Sequence, residues 1–209
     1  MPAGVVNMVF GTGMGAGQAI VEHPRIPVIS FTGGTVTGAK IIANSAQHFK
    51  KLSLELGGKN ANIVFADCDF ELALNTSLRS SFANQGEICL CGSRIFVERP
   101  IYEKFLERLV QGAKNLKVGD PTKKETNMGA LVSKEHWEKV LSYVELGKEE
   151  GGKVECGGQK PTYLPDDLKD GYFLEPTIIS GYVAFSLSPI LFYMSFRRFL
   201  ISFILFELA

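Results

Sequence analysis

An excess of charge of either sign is missing from this sequence: 22 basic and 22 acidic residues leave a formal net charge of zero. A nucleic-acid footprint needs a basic surplus gathered on one face, so no nucleic-acid partner is expected. Cysteine and histidine are scarce, at four and three copies. Cys68, Cys89, Cys91 and Cys156 fall at irregular spacing with no secretory leader at Met1, which argues against a disulfide framework and for a reducing cytoplasm. Cys89-x-Cys91 has no second ligand pair, and His23, His48 and His136 lie far from it in sequence, so no metal site is expected. No Gly-x-Ser-x-Gly elbow supports a serine nucleophile.

What is present reads as alternating strands and helices in a chain of 209 residues, enough for one domain or two small ones. Val5 to Phe10 reads as a short buried strand, followed by glycines at 11, 13, 15 and 17 and a helix over Gln18 to Glu22. Pro27 to Phe31 reads as a second buried strand, turning at Gly33 and Gly34 into a helix from Thr37 to Asn44. Glycine turns before helices let an anion approach backbone N–H groups, yet they are common, and no convincing acid follows at dinucleotide-fold spacing. Lys51 to Glu55 and Asn62 to Phe65 read as strands, with a domain change between them near Gly57-Gly58. The spacing then predicts a helix over Asp69 to Asn84 with Phe70, Leu72, Ala73, Leu78 and Phe82 inward. Tyr102, Phe105, Leu106, Leu109, Ala113 and Leu116 mark an amphipathic helix within Pro100 to Leu116. Ser133 caps a further helix to about Gly147, and Val154 to Cys156 reads as a strand.

Two stretches carry candidate chemistry. In Asn84-Gln85-Gly86-Glu87-Ile88-Cys89-Leu90-Cys91-Gly92-Ser93-Arg94 a cysteine sits between a glycine turn and the strand-like Ile95-Phe96-Val97. A thiol there can be exposed while backbone N–H groups favour its thiolate, although most free cysteines simply pack. In Leu54-Glu55-Leu56-Gly57-Gly58-Lys59-Asn60 an acid stands between leucines; an apolar surround raises a carboxyl pKa towards a useful general base. The plain alternative is a surface glutamate at a strand end.

Together, in this order and at this separation, the two stretches resemble the paired glutamate and cysteine signatures of the aldehyde dehydrogenase superfamily. The resemblance runs from near Met1 to about Ile179. Pro2 to Val9 is similar to the family's strand approaching the coenzyme, Gly11 to Gly17 to its glycine-rich turn, Phe31 to Gly38 to the next strand-to-helix turn, and Tyr172 to Thr177 to a later strand. The Glu87-Ile88-Cys89-Leu90 version resembles members that oxidise 2-aminomuconic and related muconic semialdehydes. The resemblance implies an α/β fold: a partial Rossmann-like coenzyme-binding domain over residues 1–57 and part of an α/β catalytic domain over residues 58–179. It implies oxidation of a small aldehyde to the carboxylate, with Cys89 as nucleophile and Glu55 as base. It also implies NAD, with NADP as the alternative, held by Gly11, Gly33, Gly34, Thr35, Gly38 and Leu56. Many members carry serine where Gly34 stands, which implies a missing hydroxyl contact and weaker coenzyme binding.

After Ile179 the family pattern is lost: a Glu-x-Phe-Gly-Pro segment and an upstream oxyanion asparagine are not found. Residues 180–209 form a divergent, apolar tail, interrupted by Pro189 and Arg197-Arg198. Two arginines within it argue against a membrane span, and uncharged Phe199 to Phe206 is an aggregation hazard. Two further readings stand beside the enzyme: a truncated, non-catalytic product, and a subunit of a homo-oligomer or of an assembly with full-length chains.

Overall fold

In the computed structural model, residues 1–184 and 204–208 are described, and they group into two compact units, Met1–Gly57 and Gly58–Ala209. In the first unit a single wide turn, Gly13–Gly17, leads into helix α1 (Gln18–Glu22). Strand β1 (Val28–Gly33), helix α2 (Thr35–Ser45) and strand β2 (Lys51–Leu56) follow, and β1 and β2 pair in parallel with Gly33 opposite Leu56. Parallel strands need a crossover, and α2 supplies it. Its core is Val21, Ile29 and Ile41, backed by Ile26, Phe31, Leu52 and Leu54.

Two expectations fail here. Val5 to Phe10 forms no strand and lies exposed, with Phe10 at 86%. A strand needs a ladder partner, and this segment's apolar run meets none among the described residues. Strand β1 is buried on one face: Ile29 is inward, whereas Val28 is exposed. Apolar composition suggested two-sided burial, but a two-stranded sheet has cover for one face.

The second unit is built on a five-stranded sheet in the order β3-β4-β7-β6-β5. Its strands are β3 (Ala61–Val64), β4 (Arg94–Glu98), β5 (Lys153–Cys156), β6 (Ile178–Ala184) and β7 (Ile204–Leu208). All neighbours are parallel except the β5 and β6 pair. Helix α3 (Phe70–Phe82) starts at Asp69, whose side chain accepts the Leu72 N–H at 3.1 Å. Helix α4 (Tyr102–Lys114) lays its predicted stripe on the sheet: Phe105, Leu109 and Ala113 are buried against Ile95, Val97 and Ile178. Phe70 meets Phe105 edge to face at 5.8 Å, closing α3 onto α4. Helix α5 (Lys134–Glu149) is capped by Ser133, which accepts the His136 N–H.

On α3, Phe70, Ala73, Leu78 and Phe82 pack inward as expected, Leu74 joins them, and of the expected stripe Leu72 alone is exposed. Tyr172 to Thr177 is not a strand. It is largely buried but satisfies its backbone elsewhere: Tyr172 O accepts Leu131 N–H, Phe173 O accepts Trp137 Nε1–H, and Glu175 N–H donates to Gln159 O. Residues 185–203, with Pro189 and Arg197-Arg198, lie outside the described residues. The apolar Ile204–Leu208 becomes β7, paired on both edges.

Candidate active site

The cysteine motif is delivered by the C-terminal end of α3. Asn84, Gln85 and Gly86 take φ of 49°, 57° and 74°, turning the chain sharply out of the helix. Two non-glycine residues in this left-handed region store backbone strain, as functional turns often do. Beyond them the Cys91 N–H donates to Ile88 O at 2.9 Å, closing a tight turn with Cys89 at its second position. Gly92 seats the turn against α3: its N–H reaches Ser80 O and Oγ, and a Cβ there would come 2.5 Å from Ser80 Oγ.

The two cysteines of this turn differ. Cys89 is exposed, and among the described residues its N–H has no described acceptor. Because Ile88 O points into the turn, the trans peptide aims the Cys89 N–H outward. An exposed thiol beside an outward N–H can add to a carbonyl and hold the resulting oxyanion. Cys91 is buried, and burial pushes its thiol up, against smaller opposing effects of the Ile88 hydrogen bond and the Lys59 ammonium. A thiol so placed resists ionisation and attack.

Glu55 belongs to the first unit, on the exposed face of β2. The flanking Leu54 and Leu56 are half-buried on the other face, so they do not surround it. Strand neighbours point to opposite sides, which the expectation of an apolar surround overlooked. Of the anticipated coenzyme residues, Gly33 ends β1, Gly34 is the N-cap of α2, and Thr35 is its first residue. A Cβ on Gly38 would lie 2.8 Å from Leu56 Cδ2, so glycine lets α2 run close over the end of β2. Those five are therefore brought together, while Gly11 lies apart from them, two residues ahead of the Gly13–Gly17 turn. No side chain caps α2, so its first-turn N–H groups are left for an anion.

The aldehyde dehydrogenase family's profile matches residues 1–185. The chain belongs to this family. 2-Aminomuconic semialdehyde dehydrogenase of Danio rerio is 56% identical over 181 residues, which cover 86% of this chain and 37% of that protein. The Homo sapiens protein of the same name is 51% identical over the same shares. Betaine aldehyde dehydrogenase of Staphylococcus aureus, in complex with NAD+, superposes with a TM-score of 0.82 at 36% identity, covering 96% of this chain and 38% of that one. The chain thus spans little more than a third of the length of these relatives.

This chain also shows contacts that its sequence had not disclosed. His136 Nε2 meets Glu87 Oε1 at 3.0 Å, two residues before Cys89, although the two are distant in sequence. Asn60 Nδ2 donates to Cys89 O at 2.8 Å and to Cys91 O at 3.2 Å. Asn60's place at the end of the glutamate motif was a signal, but not one that told which group it would hold. Among the described residues no cluster suits a metal ion, and no helix is long and apolar enough to cross a membrane.

Proposed function

We propose that this chain oxidises an aldehyde to the carboxylate with NAD, using Cys89 as nucleophile and Glu55 as base. The observation that carries the reading is the exposed Cys89 on a closed turn, with its N–H aimed outward. Residues 1–57 serve as the C-terminal part of the coenzyme-binding domain, residues 58–179 as a partial catalytic domain, and residues 180–209 as its divergent tail. The uncapped start of α2, with Gly33, Gly34 and Thr35, and the close Gly38–Leu56 packing fit a dinucleotide pyrophosphate. Gly11, just ahead of the Gly13–Gly17 turn, serves the same coenzyme. The chemistry that NAD supplies when bound is acceptance of the hydride.

The Cys89 thiolate adds to the aldehyde carbon, forming a C–S bond and an oxyanion that the Cys89 N–H stabilises. Loss of the hydride leaves a thioester on Cys89. Glu55, open to solvent, takes a proton from the water that cleaves this thioester, freeing the carboxylate and restoring the thiol. The names of the relatives support a muconic-type semialdehyde as substrate. Four free cysteines agree with a cytoplasmic protein, and we assign it self-association into homo-oligomers or with longer subunits. These matches do not favour the truncated, non-catalytic alternative.

The test is aldehyde-dependent NADH formation by the purified, folded chain with muconic-type semialdehydes. Cys89→Ser is expected to abolish turnover, whereas Cys91→Ser retains most of it. Equal loss from both would overturn the assignment of Cys89.

A further inference from the structure

The direction in which a side chain leaves a turn is set by the two peptide planes that flank its Cα. For Cys89 the preceding plane is pinned inside the turn, since Ile88 O accepts the Cys91 N–H at 2.9 Å. The following plane, which carries Cys89 O, has one described donor, Asn60 Nδ2 at 2.8 Å. The same nitrogen reaches Cys91 O at 3.2 Å, so a single amide spans both sides of Leu90. An amide group has two N–H donors at one end and an acceptor at the other. Two carbonyl partners accordingly fix which end faces the turn.

Asn60 is itself held. Strand β3 begins at Ala61, opposite Arg94 of β4. Just ahead of that pairing the Arg94 N–H donates to Asn60 O at 3.2 Å, and Arg94 Nε donates to Lys59 O at 3.0 Å. The backbone of Lys59 and Asn60 therefore runs beside the point where the cysteine turn joins β4. Gly58 passes close by as well, since a Cβ there would lie 3.8 Å from Cys89 O. The far side of Cys91 is fixed by Ser93 N–H to Cys91 O and by Ser81 Oγ to Gly92 O.

We infer that Asn60 is the positioning residue of the nucleophile: its amide clamps the carbonyls of Cys89 and Cys91 and so fixes the direction in which the Cys89 thiol and N–H leave the turn. The inference rests on Cys89 being the nucleophile. Its physical content is pre-organisation, because a reacting atom displaced by about 1 Å can cost roughly 100-fold in rate. Asn60 touches neither substrate nor coenzyme in this scheme; it acts through the turn.

Asn60→Asp and Asn60→Ala separate a donor from a space filler. Aspartate keeps the shape but sets a carboxylate oxygen against two carbonyls, whereas alanine removes the group and lets water in. Two readouts need no turnover: amide hydrogen exchange at Cys91, and the rate at which iodoacetamide alkylates Cys89, followed on the isolated peptide. Exchange at Cys91 is expected to quicken about tenfold or more in both variants, with aspartate worse than alanine and with circular dichroism unchanged. Alkylation of Cys89 should change several-fold, while that of Cys68 stays at the parental rate. Where the parent turns over, kcat should fall about 10- to 100-fold with KM for NAD unchanged. Asn60→Ser, which keeps one short donor, should recover part of each loss. Asn60→Asp indistinguishable from the parent would overturn the clamp. Should that variant not fold, parental exchange and alkylation in Asn60→Ala would overturn it equally. Failure of the nucleophile reading shows separately, as no aldehyde-dependent NADH from the parent while the exchange differences persist.

Discussion

At the scale of single residues, this protein keeps one thiol open and closes others off. Burial pushes the Cys156 thiol up, as it does Cys91, and Cys156 Sγ donates to Pro176 O at 3.5 Å. The sign of the consequence follows directly. In the unfolded chain both thiols ionise near the ordinary cysteine value, about 8.5. In the folded chain they stay protonated to higher pH. Their contribution is thus fully present below that value and is lost as pH rises through the folded value. Urea unfolding midpoints should fall between about pH 7 and pH 10, and the fall should be shallower in Cys156→Ala. An equally steep fall in that variant would show that Cys156 is not its source. The sequence could mark the stretch around Cys89 as a glycine turn before a strand, because that is a local pattern. It could not show that Cys91, two residues on, is buried, since that depends on the seat Gly92 finds on Ser80.

At the scale of elements, the periodic ones were legible. The stripe of α4 from Tyr102 to Ala113 packs as its spacing predicts, because one face of a long helix must be covered. The caps were local as well. Asp69 accepts the Leu72 N–H, so Asp69→Ala should lower stability by about 1 kcal/mol in urea unfolding, whereas Leu72→Ala should change little at its exposed position. A larger loss at Leu72 would return that residue to the packed face of the helix. What sequence could not supply was partnership. Val5 to Phe10 has strand-like residues and no ladder. Tyr172 to Thr177 is largely buried, yet its backbone is spent on Leu131, Trp137 and Gln159. Glu155 illustrates the same point for charge. Burial opposes its ionisation, but the Ser180 hydroxyl at 2.6 Å and the Lys153 ammonium at 3.0 Å together hold its carboxyl below the usual range. Its partner Ser180 lies on the neighbouring strand, out of reach of any local pattern.

At the scale of the molecule, the segment read as a divergent ending supplies the middle of a sheet. Strand β7 pairs with β4 on one edge, Arg94 opposite Ile204, and with β6 on the other, Ile179 opposite Ile204. Ile204, Leu205 and Phe206, the described end of the uncharged run, lie in a strand hydrogen-bonded on both sides, where apolar residues suit the sheet. Proline within a central strand removes a ladder donor and fixes φ. Leu205→Pro is therefore expected to destabilise by about 3 kcal/mol or more, read as a lowered urea midpoint. A midpoint equal to the parent's would place the strand outside the folded sheet.

That central position also sets a schedule. On the ribosome, β3, α3, β4 and α4 emerge early and can begin to collapse together, and β5 and β6 follow. The slot between β4 and β6 stays open until Ile204–Leu208 leaves the exit tunnel, so the sheet cannot zip shut before that point. Through that interval two unsatisfied strand edges face each other across a gap, inviting any passing extended peptide. The nascent chain should consequently depend on holding chaperones for as long as its central strand is unmade.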